Sequence, residues 1–170
     1  DILTSAKQRV ILPDLAAGCS MADMATANQV NECWSQLEKL GVASRTTPVT
    51  YMNSSAAIKS FTGEHGGTIC TSSNAQKTLE WAFAKAEKVL FLPDQHLGRN
   101  TAVLSLGLSL EDCVLWNPWK PMGGLTEDQI RGAKMILWRG HCSVHGRFTR
   151  ESIQEVRTRI PGVQVIVHPE

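Results

Sequence analysis

Met135-Ile136-Leu137-Trp138-Arg139-Gly140-His141-Cys142-Ser143-Val144-His145 is the stretch from which the rest of the chain can be read. Four consecutive apolar residues with no polar alternation read as a short strand buried on both faces. Gly140 then breaks the run into a turn that carries Cys142 between His141 and His145. Strands buried on both faces belong to parallel sheets covered by helices on either side, and ligands of such sheets gather where the carboxyl ends of the strands open out. A soft sulfur at such an end is a candidate metal ligand or nucleophile. The plainer alternative is a half-buried cysteine flanked by two loop histidines.

Working outward, the same grammar recurs. Arg9–Pro13 reads as a first strand, Asp14 to Cys19 as its turn, and Ser20 as the cap of a helix through Met21, Ala22 and Met24. Val30, Cys33, Trp34, Leu37 and Leu40 fall at helical spacing and Gly41 ends that helix. Pro48–Met52 is a second strand, with Asn53-Ser54-Ser55 capping a helix to about Phe61. Gly67–Cys70 is a third, followed by Thr71-Ser72-Ser73-Asn74 and a helix with Ala75, Leu79, Ala82, Phe83 and Ala86 on one face. Val89–Pro93 is a fourth, with Asp94-Gln95-His96 opening a helix toward Leu106. Cys113–Trp116 is a fifth, expected at an edge. Pro118 to Gly124 is an irregular excursion, Thr126 starts a short helix, Arg150 to Arg159 forms another, and Val163–Val167 closes the series as a strand. Short buried strands alternating with helices of about ten residues mean βαβ units, hence an α/β fold with a parallel sheet. The polar tips after the strands are Tyr51/Asn53, Ser72/Asn74, Asp94/His96, Cys142/His145 and His168/Glu170, and five of them suggest one shared polar centre.

Composition narrows the function classes. The chain has 170 residues, enough for one domain with a real core or for one and a half smaller ones. A formal charge of +1 gives no reason to expect nucleic acid or an acidic membrane as partner. The apolar runs are far too short to cross a bilayer. Five widely spaced cysteines, an odd number, point to reduced thiols and a cytoplasmic setting rather than a disulfide framework. The start lacks both a methionine and a signal-like segment, and the end falls just where a strand finishes, so the chain reads as a fragment. No phosphate-cradling or dinucleotide glycine motif is present, so a nucleotide is not indicated.

Among candidate chemistries, Gly18-Cys19 and Gly140-His141-Cys142 each place a cysteine in a turn. Converging in space, they could hold a cluster with one iron open as a Lewis acid. Cys33 and Cys113 are expected to be buried and Cys70 to be packed. His65 is expected to be a solvated loop residue, and Trp116 with Trp119 to close a lid. Serines at Ser54-Ser55 and Ser72-Ser73 put hydroxyls and free N–H groups at helix starts, which suits either simple capping or a bound phosphate or carboxylate.

Several collinear stretches carry a specific resemblance. Leu12-Pro13-Asp14 with Gly18-Cys19-Ser20-Met21-Ala22-Asp23-Met24 resembles the first cluster-cysteine motif of the quinolinate synthase family. Thr50-Tyr51-Met52-Asn53-Ser54-Ser55-Ala56 is similar to its Tyr-x-Asn substrate motif. Cys70–Ala75 and Leu92–Arg99 are similar to two further stretches, Trp138–His145 to the second cluster-cysteine motif, and Val167-His168-Pro169-Glu170 to its His-Pro-Glu motif. The resemblance implies three-layer α/β/α domains, three of them about a pseudo-threefold axis, with about one and a half to two present here. The expected boundaries are the end of a first domain at 1–20, a second domain at 21–110, and an excursion with the start of a third at 111–170.

It further implies a transferase of NAD biosynthesis. Iminoaspartate, supplied by L-aspartate oxidase or aspartate dehydrogenase, condenses with dihydroxyacetone phosphate, losing phosphate and water to give quinolinate. A [4Fe-4S] cluster would be held by Cys19, Cys142 and a third cysteine expected beyond Glu170. Tyr51, Met52, Asn53, Ser72, His168, Pro169 and Glu170 would contact substrate, with Ser72 taking phosphate or carboxylate at its helix start. Tyr51, His168 and Glu170 would be catalytic, Glu170 as the proton-transfer group. With two of three thiolates, the chain alone is expected to be inactive. Two other classes stay open: a non-catalytic α/β module binding a phosphorylated metabolite, and a thiol enzyme using Cys142 with His145 as base.

Overall fold

The computed structural model describes residues 5, 7–9, 11, 14 and 16–166. Five strands form one parallel sheet: β1 (Thr46–Tyr51), β2 (Thr68–Cys70), β3 (Lys88–Leu92), β4 (Cys113–Trp116) and β5 (Met135–Trp138). Their spatial order is β2-β1-β3-β5-β4. All residues of β3 and β5 are buried, because both faces are covered, whereas the edge strands β2 and β4 are only partly so. That is why the inner strands read as unbroken apolar runs.

Alternate residues of the inner strands feed two separate cores. Leu90, Leu92, Ile136 and Trp138 pack beneath α1 (Ala27–Lys39), α2 (Ala56–Glu64) and α5 (Glu127–Gly132), whose Val30, Cys33, Leu37, Ile58, Phe61 and Ile130 are buried there. Val89, Phe91, Met135 and Leu137 face the other way. They meet Ala75, Leu79 and Ala82 of α3 (Ala75–Lys85) and Leu97 of α4 (Gln95–Asn100). The result is the expected α/β/α layering. Connections moving one way along the sheet run over one face, and those moving the other way run over the opposite face, as a single crossover hand requires.

Local chemistry sets the element boundaries. Thr26 with Gln29 and Thr126 with Gln129 form capping boxes at the starts of α1 and α5. Gly41, at φ 68°, turns the chain out of α1. Lys88 is 4% exposed at the amino end of β3, and its Nζ donates to the carbonyl oxygens of Arg131 and Ala133 at the end of α5. Burial, then the nearby Arg45 charge, lowers its pKa from 10.5, with Glu87 acting in the opposite direction. Arg131 in turn donates to Leu40 O at 2.6 Å, tying α5 to the end of α1.

Several expectations need correction. Ser20 does not cap a helix: only a 3-10 turn, Ala22–Met24, follows, and the Ser20 hydroxyl is bonded elsewhere. Cys113 is half-buried, since β4 is an edge strand with one open side. His65 is no free loop residue: it ends α2, bonds Phe61 O at 2.8 Å and lies against the rings of Trp34 and Phe61. Trp116 and Trp119 form no joint lid, because Trp116 is core at 2% exposure while Trp119 is 83% exposed. Of the strand expected at Arg9–Pro13, Val10, Leu12 and Pro13 lie outside the described residues, and Arg9 and Ile11 are not in a strand. Residues 163–166 also form no strand; Val167 lies outside the described residues. α6 (Arg150–Arg159) has the expected limits. The strands on either side of residue 110, β3 and β4, share one sheet.

Candidate functional site at the carboxyl edge of the sheet

Because the five strands are parallel, every turn at a strand's carboxyl end emerges on one edge. The chain leaves β1 toward β2 on one side and returns to lay β3 on the other, so the strand order reverses between β1 and β3. Ligand crevices of doubly wound sheets form at such reversals.

On the β1 side, Tyr51 pairs in register with Cys70, and Met52 N–H donates to Cys70 O at 2.8 Å. Tyr51 is half-buried against the α3 core, while Met52 is 48% exposed and Asn53 is exposed. Ser54 is buried and donates to Tyr51 O at 2.8 Å, fixing the turn, and Ser55 caps α2 through Ile58 N. In the turn after β2, Asn74 Oδ1 accepts from Thr71 N at 2.7 Å and from Thr71 Oγ1 at 3.1 Å. Ser72 stands half-exposed in that turn and takes no part in the network, and the Asn74 side chain caps nothing in α3. Ser72 therefore sits beside the β1 tip but ahead of the helix start rather than on it.

On the β3 side, Asp94 is 1% exposed, and its carboxylate accepts from His96 N at 2.6 Å and Leu97 N at 3.0 Å. Its role is to cap α4. Arg99 donates to His96 Nδ1 at 2.9 Å. A guanidinium has no acceptor, so the imidazole proton lies on Nε2. The β5 turn is sewn to this tip: Gln95 N–H donates to Gly140 O at 3.0 Å, and Asp94 bridges Gly140. A side chain at Gly140 would meet Pro93 O at 2.1 Å, so only glycine permits this approach.

The turn bearing Cys19 docks on the same place. Trp138 Nε1–H donates to Met24 O at 2.7 Å, His141 N–H meets Met24 Sδ at 3.3 Å, and the Ser20 and Ser143 hydroxyls bond each other at 2.9 Å. The residues that follow the two turn cysteines thus touch across 123 positions. Sequence reasoning missed this clasp, and its one signal was the serine after each cysteine.

The five thiols divide sharply. Burial raises Cys33 well above the usual thiol range, aided by the Glu32 charge, and pushes Cys70 up to about 12. Cys113 is also raised, by burial first and by Asp112 second. Cys19 is exposed and Cys142 and Cys113 are both half-buried, but Cys113 opens β4 at the amino end of the sheet, which leaves Cys19 and Cys142 as the accessible sulfurs in the turns at this edge. Soft donors in adjoining, accessible turns suit an iron–sulfur group. Among the described residues, no three His, Cys, Asp or Glu side chains come together as a metal site. His168, Pro169 and Glu170 lie outside the described residues. Two clefts have volumes of about 580 Å³ each, one against α6 lined by His145, Phe148 and Ile153, the other near Trp34 and His65; of the sequence candidates only His145 lines either.

Comparison with known proteins identifies the family. The chain is 71% identical over 170 residues to a quinolinate synthase of Streptomyces coelicolor, covering all of the chain and 43% of that protein. It is 62% identical over 176 residues to the quinolinate synthase of a Nocardioides species, and 53% identical over 170 residues to that of Bacillus subtilis, in both cases covering the whole chain and 45% of the relative. It thus spans less than half the length of the curated relatives it matches. No helix among the described residues is long and apolar enough to cross a membrane. Matched from residue 1 to residue 170 by the family described as quinolinate synthetase A protein, the chain belongs to that family.

Proposed function

We propose that this chain supplies part of a quinolinate synthase active site in NAD biosynthesis, in the cytoplasm. There, iminoaspartate, made by an aspartate oxidase or dehydrogenase, condenses with dihydroxyacetone phosphate. The observation that carries the reading is the docking of the Cys19 turn on the Cys142 turn, at the edge where the β1 and β2 tips also emerge. Cys19 and Cys142 would hold a [4Fe-4S] cluster, with a third cysteine expected beyond Glu170. When bound, that group supplies an open iron as a Lewis acid.

The chain's own residues then bind and orient. Tyr51, half-buried, would contact substrate at this tip, which Met52 and Asn53 also line. The Ser72 hydroxyl is available to a phosphate or carboxylate oxygen. His168 with Glu170 would move protons to and from the substrate carbons.

The test is anaerobic incubation with iron and sulfide. This chain by itself should form no stable brown chromophore and no quinolinate, because two thiolates retain a cluster poorly. A longer polypeptide of the family that also carries the third cysteine should form both, and should lose both on Cys19→Ala or Cys142→Ala. Full activity in either variant would refute the assignment.

A further inference from the structure

Ser20 and Ser143 are exposed, and each follows one of the two turn cysteines. Two exposed hydroxyls gain only the modest net worth of one hydrogen bond from bonding each other, since water competes for both. What a bond of 2.9 Å does restrict is the position of the residues just before it. The base beneath is firm. Met21 and Ala25, on either side of Met24, are 2% exposed, and Trp138, which donates to Met24 O, is fully buried.

We infer that Ser20 and Ser143 are positioning residues: their hydroxyl-to-hydroxyl bond closes the two turns over the Met24–Trp138 clasp and holds the Cys19 and Cys142 thiolates together for one soft metal centre. This rests on the reading that the two cysteines act as a pair. Holding two donors in place before binding spares the metal the cost of gathering them. With the bond broken, each turn moves on its own anchor and that advantage falls. Neither serine touches the metal; each acts through the cysteine before it.

The test needs no cluster and no turnover. The reduced chain, carrying Cys113→Ala to remove the half-buried thiol, is titrated with cadmium ion and followed by the ultraviolet thiolate-to-cadmium charge-transfer band. Cys19→Ala and Cys142→Ala should each abolish the two-thiolate signal. Ser20→Ala and Ser143→Ala should each weaken binding about three- to tenfold, the range set by one net hydrogen bond, without lowering Tm. Ser143→Thr, which keeps the hydroxyl, should restore binding. The double serine variant should be no weaker than the weaker single one, because both remove the same bond.

Unchanged cadmium affinity in the serine variants, with the signal still lost in the cysteine variants, overturns the positioning role and leaves the paired-cysteine reading standing. Additive losses in the double variant also overturn it, as they would mean two independent effects. Cysteine variants that bind as tightly as the parent sink the paired reading, and the inference with it.

Discussion

Replacing Gly140 by alanine tests the seam on which the site is built. The new Cβ would stand 2.1 Å from Pro93 O, 3.1 Å from Pro93 C and 3.4 Å from the Met24 Cβ. Pro93 cannot yield easily, since it directly follows β3 and precedes the Asp94–Gly140 bridge. Relief therefore means moving the β5 turn by roughly 1 Å, at a cost in the range of about 1–3 kcal/mol usual for overpacking. The Gln95 N–H to Gly140 O bond, 3.0 Å long, would be stretched or lost for about a further 1 kcal/mol. The sum, about 2–4 kcal/mol, corresponds to a Tm lower by roughly 5–15 °C for a chain of this size. Thermal unfolding followed by circular dichroism measures it. Gly146→Ala is the control: nothing lies within 4 Å of its added carbon, and it should shift stability by no more than about 0.5 kcal/mol. A Gly140→Ala protein melting within about 2 °C of the parent would show that the strand tips are not locked as described.

Further outcomes follow from the thiols, the buried lysine and the α4 cap. Native alkylation should label Cys19 and Cys142 first, Cys113 more slowly, and Cys33 and Cys70 only on unfolding; a shift of Cys70 from 9.0 to about 12 cuts its thiolate fraction roughly a thousandfold. Rapid labelling of Cys70 in the folded chain, read by peptide mass spectrometry, would contradict this. Lys88→Met should cost about 1–3 kcal/mol at neutral pH by leaving the Arg131 and Ala133 carbonyls unpaired. Because the folded pKa of Lys88 lies below 10.5, the unfolded chain holds the extra proton in the interval between the two. Wild-type stability relative to Lys88→Met should therefore rise with pH through that interval; a gap that narrows there would give the wrong sign. Asp94→Ala should lower stability by about 1–2 kcal/mol through loss of the α4 cap, measured by urea unfolding, and a neutral result would remove Asp94 from that role.

Much of the scaffold was legible because its signals are local. The four buried residues of β5, the Thr126 and Gly41 boundaries and the limits of α6 depend on short-range patterning and capping. The tip residues Tyr51, Asn53 and Ser72 were legible too, because a residue placed just past a strand in a parallel sheet has one edge to emerge on. Less visible were environments set by neighbours remote in sequence. Cys113 and His65 were misjudged for this reason: β4 was rightly expected at an edge, but how far its neighbours cover Cys113 depends on remote segments, and packing of His65 depends on Trp34 arriving from α1. Trp116 and Trp119 stand three positions apart yet end in opposite surroundings, one in the core against Gly123 and one in solvent.

By itself, then, the order of residues determined an α/β chain with a parallel sheet, the family, and two turn cysteines worth watching. Only the tertiary structure decided that the Cys19 and Cys142 turns meet, that Cys113 is half-buried rather than core, and that Gly140 is pinned against Pro93. The physical reason is range. Propensity and capping act within a few residues, while contact across 123 positions exists only after a sheet has ordered its strands and two helical layers have closed over it.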